Sequence, residues 1–359
     1  MLNTMSLLRR RILAAANRMM STYRAAVSFN SPRSPWLVLP PRLCKESAGA
    51  IFNFWCCAQR REYLFRDAKK NSRYGGDNLM DHEEAHQLRV LGSSPGWLAC
   101  QRGNDDLIVL DPVSYDAVDL LPPWIHYDMD LETLLFSDSE RKAFVICGPS
   151  RSLAFCSTST RCLRREWTFF GGDDEYESMV YSTGHRRLFC ITSALKLEAW
   201  DVGHHSPRLD WVAYFDCPDP VNWDWLHVQY LACEEQSGKL FLVVRKVCNI
   251  DYLSEKDFTL EFKVYRIDRG GLDLILMRDS LEGITFFVGS NQAIAIRDVG
   301  AGVEPDSVYF TYDRRLGFNS FVGNFDYRRR SISPVSCPFA DNTCKVWFTP
   351  HPRHIILFD

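Results

Sequence analysis

Leu107-Ile108-Val109-Leu110-Asp111, Ser152-Leu153-Ala154-Phe155-Cys156 and Leu197-Glu198-Ala199-Trp200-Asp201 are three versions of one phrase, a short apolar run closed by Asp or Cys. Their last residues fall 45 apart each time, and two further versions, ending at Asp268 and Asp326, follow at gaps of 67 and 58. A period of about 40 to 50 residues per four short strands is the spacing of β-propeller blades. The two longer gaps hold polar, turn-rich insertions, residues 216–225 and 249–257, which read as loops between strands. One such meander cannot bury both of its faces, so consecutive units must stack on each other and share one cooperative fold.

The rest of the chain past residue 85 supports this. Runs of four to seven residues rich in Val, Ile, Leu, Phe, Tyr and Trp, such as 188–191, 240–244 and 307–311, alternate with Gly, Asp, Asn, Ser and Pro. Little of it sustains helical periodicity. The reading is an all-β chain, a β-propeller of four-stranded blades over residues 86–359, with a pair of β-sandwiches as the alternative. The repeat does not fix the number of blades, because the first and last units can be assembled from both chain ends. Residues 34–85, opening on Ser34-Pro35-Trp36-Leu37-Val38-Leu39-Pro40-Pro41, are expected to be an irregular segment that packs on the propeller or lends it a strand.

Charge divides the chain differently. The first 45 residues carry seven Arg, one Lys and no acid, and the first acidic residue is Glu46. Placed as a helix, Met5, Leu8, Ile12, Ala15, Ala16 and Met19 share one face, with Arg10, Arg11, Asn17 and Arg18 opposite. Residues 1–33 therefore read as a mostly disordered or helical leader of the transit-peptide kind, addressed to the mitochondrion, with the plastid or the cytosol as alternatives. Past residue 45, 34 basic residues stand against 45 acidic ones, a net charge of about −11. Such a surface does not favour a phosphate backbone, so no nucleic-acid partner is expected. No run of about 18 apolar residues exists, so no membrane-spanning helix is expected either. The thirteen cysteines sit in apolar strings without Cys-x-x-Cys pairs and read as buried reduced thiols rather than as a disulfide framework or zinc site.

Several short patterns could carry chemistry. His82-Glu83-Glu84-Ala85-His86 is a literal H-E-x-x-H, in which two His would hold zinc and Glu83 would act as general base. Barely two helical turns are available before Gly92, and no second helix follows to supply a third ligand, so a charged linker entering the first repeat is the preferred reading. Gly92-Ser93-Ser94-Pro95-Gly96 fits G-x-S-x-G, but the segment that leaves it, Trp97 to Cys100, is another strand, so a hairpin turn is expected in place of a nucleophile elbow. Gly171-Gly172-Asp173-Asp174-Glu175 lacks EF-hand spacing and reads as an acidic loop between repeats. His204-His205 reads as a solvated turn, and Arg328-Arg329-Arg330 as a hairpin tip.

Nine strings in order, beginning with Pro35-Trp36-Leu37-Val38-Leu39-Pro40 and Val90 to Leu98 and ending with Val346-Trp347-Phe348-Thr349-Pro350, resemble the plant F-box-associated β-propeller proteins known as domain of unknown function 295. Between them come Leu110 to Val113 with Leu121-Pro122-Pro123, Leu153 to Cys156, Trp167-Thr168, Glu198 to Asp201, Gly238 to Arg245 and Phe262 to Tyr265. The resemblance implies a propeller fold and assigns no catalytic residues. Many members carry an N-terminal F-box that docks on a ubiquitin-ligase scaffold. Here its place is taken by the Arg-rich extension, which resembles F-box-lacking, organelle-directed branches. The expectation is a non-catalytic organellar platform that holds a protein or ligand on one rim, with no catalytic, cofactor-binding or metal-binding residues. A substrate receptor linked to a ubiquitin ligase is the alternative, and a zinc hydrolase at His82, Glu83 and His86 the less favoured one.

Overall fold

The structure, a computed structural model, describes residues 34–43, 50–65, 88–102, 106–112, 117–120, 131–158, 166–216, 225–248, 258–268, 273–290, 292–300, 302–311, 322–337 and 346–350. These residues are strands and turns throughout, as the all-β reading requires. The leader 1–33, the H-E-x-x-H segment and both insertion loops lie outside them, apart from Asp216 and Trp225 at the ends of the first insertion.

Three four-stranded antiparallel meanders follow one another along the chain. The first is β4 (Leu88–Ser94), β5 (Trp97–Arg102), β6 (Asp106–Leu110) and β7 (Ala117–Leu120); the second is β8 (Leu131–Ser137), β9 (Lys142–Cys147), β10 (Ser152–Ser157) and β11 (Trp167–Phe170). The third is β12 (Tyr176–Ser182), β13 (Arg187–Thr192), β14 (Lys196–Asp201) and β15 (Arg208–Tyr214). A fourth, β16 (Trp225–Glu234), β17 (Lys239–Cys248), β18 (Phe258–Ile267) and β19 (Leu274–Leu276), joins five later strands into one nine-stranded sheet. Those five are β20 (Ile284–Val288), β21 (Ala293–Arg297), β22 (Ser307–Phe310), β23 (Gly323–Asp326) and β24 (Ser331–Pro334), and the junction is a short parallel pairing, Ala232 with Ala293 and Cys233 with Ile294.

The last sheet is built from both chain ends. β1 (Trp36–Leu43), β2 (Ala50–Cys56) and β3 (Arg61–Phe65) are completed by the two-residue β25 (Trp347–Phe348), which pairs Trp36 with Phe348 and Leu37 with Trp347. The segment read from sequence as irregular, packing on the propeller or lending it a strand, thus supplies through its described residues 36–43 and 50–65 three of the four strands of a blade.

Six apolar clusters lie between these six units, one at each successive contact. Trp36, Val38 and Phe54 pack on Leu98 and Ile108; Leu107 and Val109 on Leu134 and Val145; Phe144 and Ile146 on Met179 and Leu188. Ile191 and Leu197 meet Leu231 and Leu242, and Phe241 and Phe262 meet Phe286 and Phe310. The sixth cluster returns to the start, with Leu37 and Trp347 against Phe287, Val299 and Tyr309. Among the described residues the units therefore close into a ring of six blades. β9 shows why the strands read as unbroken apolar runs: Ala143, Val145 and Cys147 face one neighbouring blade while Phe144 and Ile146 face the other.

The repeated phrase lies on the third strand of the second to fifth blades, β6, β10, β14 and β18, and on β23 of the sixth. Its closing Asp turns the chain. The Asp201 carboxylate accepts from the Gly203 amide (3.0 Å), and that of Asp326 from the amides of Arg328 (3.0 Å) and Arg329 (2.9 Å).

Candidate ligand-binding mouth of the propeller axis

The innermost strands β4, β8, β12 and β16 all end at the same side of the ring, and their last residues, with β21 and Thr349 beyond β25, wall a cavity of about 460 Å³. The hairpin registers make three positions at the ends of these inner strands equivalent, of which Ser137 and Glu234 line the cavity and Ser182 lies between the lining residues Tyr181 and Thr183. Ser137 pairs with Lys142, Ser182 with Arg187 and Glu234 with Lys239, each pair closing a four-residue turn. The last turn residue takes positive φ in all three, Arg141 (52°), Arg186 (53°) and Gly238 (68°). Two blades thus present a buried serine where the fifth presents a buried glutamate.

Hydroxyls stitch the inner strands from blade to blade. The Phe136 amide donates to Ser94 Oγ (2.8 Å), Ser139 Oγ lies 3.2 Å from Tyr181 Oη, the Leu231 amide donates to Ser178 Oγ (3.0 Å), and Thr183 Oγ1 donates to Glu235 Oε2 (2.8 Å). The Ser93 hydroxyl donates to the Trp347 carbonyl and so ties the second blade to the closing strand. Three carboxylates, Asp138, Glu234 and Glu235, face one guanidinium, Arg297, around the cavity. Cys233 also lines it, and burial, aided by Glu235 and Glu234 and opposed by a Ser182 hydrogen bond, pushes its thiol up to about 12. It remains protonated near neutral pH and is no thiolate nucleophile there.

The sequence-derived candidates fall elsewhere, or elsewhere in role. His82, Glu83 and His86 lie outside the described residues. Ser94 is the last residue of β4, and Pro95-Gly96 forms the tight turn to β5, Gly96 supplying the positive φ (82°); no helix leaves it. Gly171 to Glu175 connects β11 to β12, where Asp174 pairs with Lys196 (2.9 Å) and the Gly172 amide donates to Tyr176 Oη (3.0 Å). His204 and His205 follow β14 in an exposed turn, His204 Nε2 lying 3.6 Å from Asp201. Arg328 to Arg330 form the β23–β24 turn, and Arg328 reaches Asp306 (2.5 Å). Among the described residues no group of three His, Cys, Asp or Glu could hold a metal ion, and seven of eight cysteines are buried, Cys337 being half-buried. Sequence reasoning passed over Glu234. Its signal was available by aligning Ala232-Cys233-Glu234-Glu235 with Phe136-Ser137-Asp138 and Tyr181-Ser182-Thr183 at the start of each hairpin.

The KIB1-4 β-propeller domain matches residues 69–338, three quarters of the chain. The protein belongs to the KIB1-4 β-propeller family. The matched span holds blades two to six, and the first blade flanks it from both ends. No curated protein matches the sequence. Similar solved structures include the β-propeller domain of Cps50 (Swd1) from Myceliophteria thermophila, 9% identical over 83% of this chain and 84% of that one at a TM-score of 0.35. A Lactobacillus plantarum protein is 8% identical over 84% and 95% (TM-score 0.36), and a protein of unknown function from Bacteroides thetaiotaomicron 10% identical over 83% and 72% (TM-score 0.37).

Proposed function

We propose that this chain is a non-catalytic platform that holds a protein partner at the axial mouth of its propeller, inside mitochondria. The observation that carries the reading is the mouth itself, a cavity of about 460 Å³ walled by strand ends from around the ring. That volume is in the roughly 300–1,000 Å³ range of binding clefts, and loops and strand ends carried on a rigid ring are where such folds place recognition. The address is supported by the acid-free, Arg-rich start of the chain.

Proximity labelling with the full-length protein in its native cells tests the platform, comparing the wild type with Thr183→Trp, which fills the mouth from its rim. Partners labelled by the wild type and lost in the variant support it. Identical labelling by both places recognition away from the mouth and overturns it. Fusing residues 1–40 to a reporter tests the address: import into mitochondria is expected, and a cytosolic fusion ends that part of the proposal.

A further inference from the structure

Glu234 is 1% exposed and lines the mouth. Its Oε2 accepts from the Ser237 hydroxyl, but its Oε1 has no hydrogen-bond donor. An ionised carboxylate offers about four acceptor positions, and leaving one oxygen buried and unmet is costly. The two blades that solve the same position with Ser137 and Ser182 avoid that cost.

The surrounding charges do not relieve it. Arg297, the cation of the lining, donates through Nη1 to the Glu282 carbonyl (2.5 Å) and sets Nη2 4.0 Å from the Glu282 carboxylate. Lys239 stands opposite Glu234 in the hairpin, yet its Nζ bonds Glu282 (3.2 Å). Of the other acids, Asp138 is bridged by Arg141 (3.1 Å), and Glu235 is met by Thr183 and Gly184, groups that carry no charge. The mouth keeps a negative balance with one oxygen waiting for a donor. A hard metal cation would need about six oxygen ligands, and no three-residue ligand group exists among the described residues. An ammonium or guanidinium brings its own directed donors and needs one carboxylate.

We infer that the mouth takes the side chain of a lysine or arginine from an extended basic segment of a protein partner, its cationic head on Glu234 Oε1; this rests on the mouth being the docking site. The hydroxyls of Ser139, Tyr181 and Thr183 border the cavity and can meet the polar groups of the peptide on either side of the inserted residue. The acidic body, with its net charge of about −11 past residue 45, draws such a segment in.

The test is selection of a random heptapeptide phage library on the full-length protein in three forms, wild type, Glu234→Gln and Thr183→Trp, followed by anisotropy measurements with labelled synthetic peptides. The wild type is expected to recover peptides with Lys or Arg at one fixed position, and the library separates the two heads. Replacing that residue by Gln in the peptide, or Glu234 by Gln in the protein, should each weaken binding about tenfold or more, and the two changes should not add. Asp173→Asn, on the acidic loop between β11 and β12, should leave affinity unchanged. Thermal melts guard against misfolding, and Glu234→Gln should melt at or above the wild-type temperature because it removes a buried, partly unmet charge. Peptides without a basic residue that Thr183→Trp still abolishes, or full affinity in Glu234→Gln, would overturn the cation inference and leave the docking site standing. Failure to recover any peptide that separates the wild type from Thr183→Trp would overturn the docking site itself, and the inference with it.

Discussion

Trp347→Ala should open the ring. Trp347 is fully buried on the two-residue β25, its indole meets Phe287 edge-on with centroids 5.1 Å apart, and its Nε1 donates to the Val288 carbonyl (3.1 Å). Its own carbonyl accepts from Ser93, so one residue touches blades one, two and six. Truncating a buried aromatic to alanine costs about 3–5 kcal/mol, and the Val288 carbonyl keeps the Thr311 amide (3.0 Å) as a donor, so it adds no further penalty. That loss, about 3–5 kcal/mol, is a large share of the whole stability of an ordinary domain, about 5–15 kcal/mol. Urea denaturation followed by circular dichroism reads it as a shift of the midpoint. Tyr214→Ala, at the 73% exposed end of β15, is the control and should stay within about 0.5 kcal/mol. A loss below about 2 kcal/mol for Trp347→Ala, or an equal loss for the control, would refute the argument that closure depends on this strand.

Three other outcomes follow from the same structure. Gly302→Ala should cost about 2 kcal/mol or more in denaturation experiments, because φ is +93° and a Cβ there would lie 2.0 Å from the Ala58 carbonyl oxygen across the seam between blades six and one; Gly283→Ala, with positive φ but open space, should cost about 1 kcal/mol. Asp306 is buried, which raises its pKa, yet the amides of Gly283 and Leu281, the Ser280 hydroxyl and Arg328 outweigh burial and hold it below the ordinary carboxylate value. A depressed carboxylate stabilises the fold above its unfolded pKa of about 3.9, and that contribution is lost as pH falls through the folded value. Asp306→Asn should therefore lower stability at pH 7 and reduce the wild type's fall below about pH 4, as read from melting temperatures across that range.

The fold was legible because each blade buries both faces, which turns inner strands into unbroken apolar runs and repeats them at blade spacing. Phe144-Val145-Ile146 and Leu188-Phe189-Cys190-Ile191 announce themselves for that reason. The first blade did not, since the pairing of Trp36 with Phe348 joins residues at opposite ends of the chain and leaves no local pattern. Val346 to Pro350 drew notice as a string but not as an inner strand. The sixth blade hides its count differently, by placing β20 between β21 and β22 and interrupting the simple meander. Glu234 escaped because nothing in its own neighbourhood is unusual; only its register against Ser137 and Ser182 shows a charge where neighbouring blades carry a hydroxyl.

Hydrogen exchange at the Val38 amide, which donates to the Val346 carbonyl (2.9 Å), reports ring closure at the bond where the two chain ends meet. The six-bladed account predicts that this amide is protected as strongly as the amides of β9 in the middle of the chain, and that Trp347→Ala releases it first. Exchange at Val38 as fast as at an open sheet edge, with β9 still protected in the wild type, would contradict it.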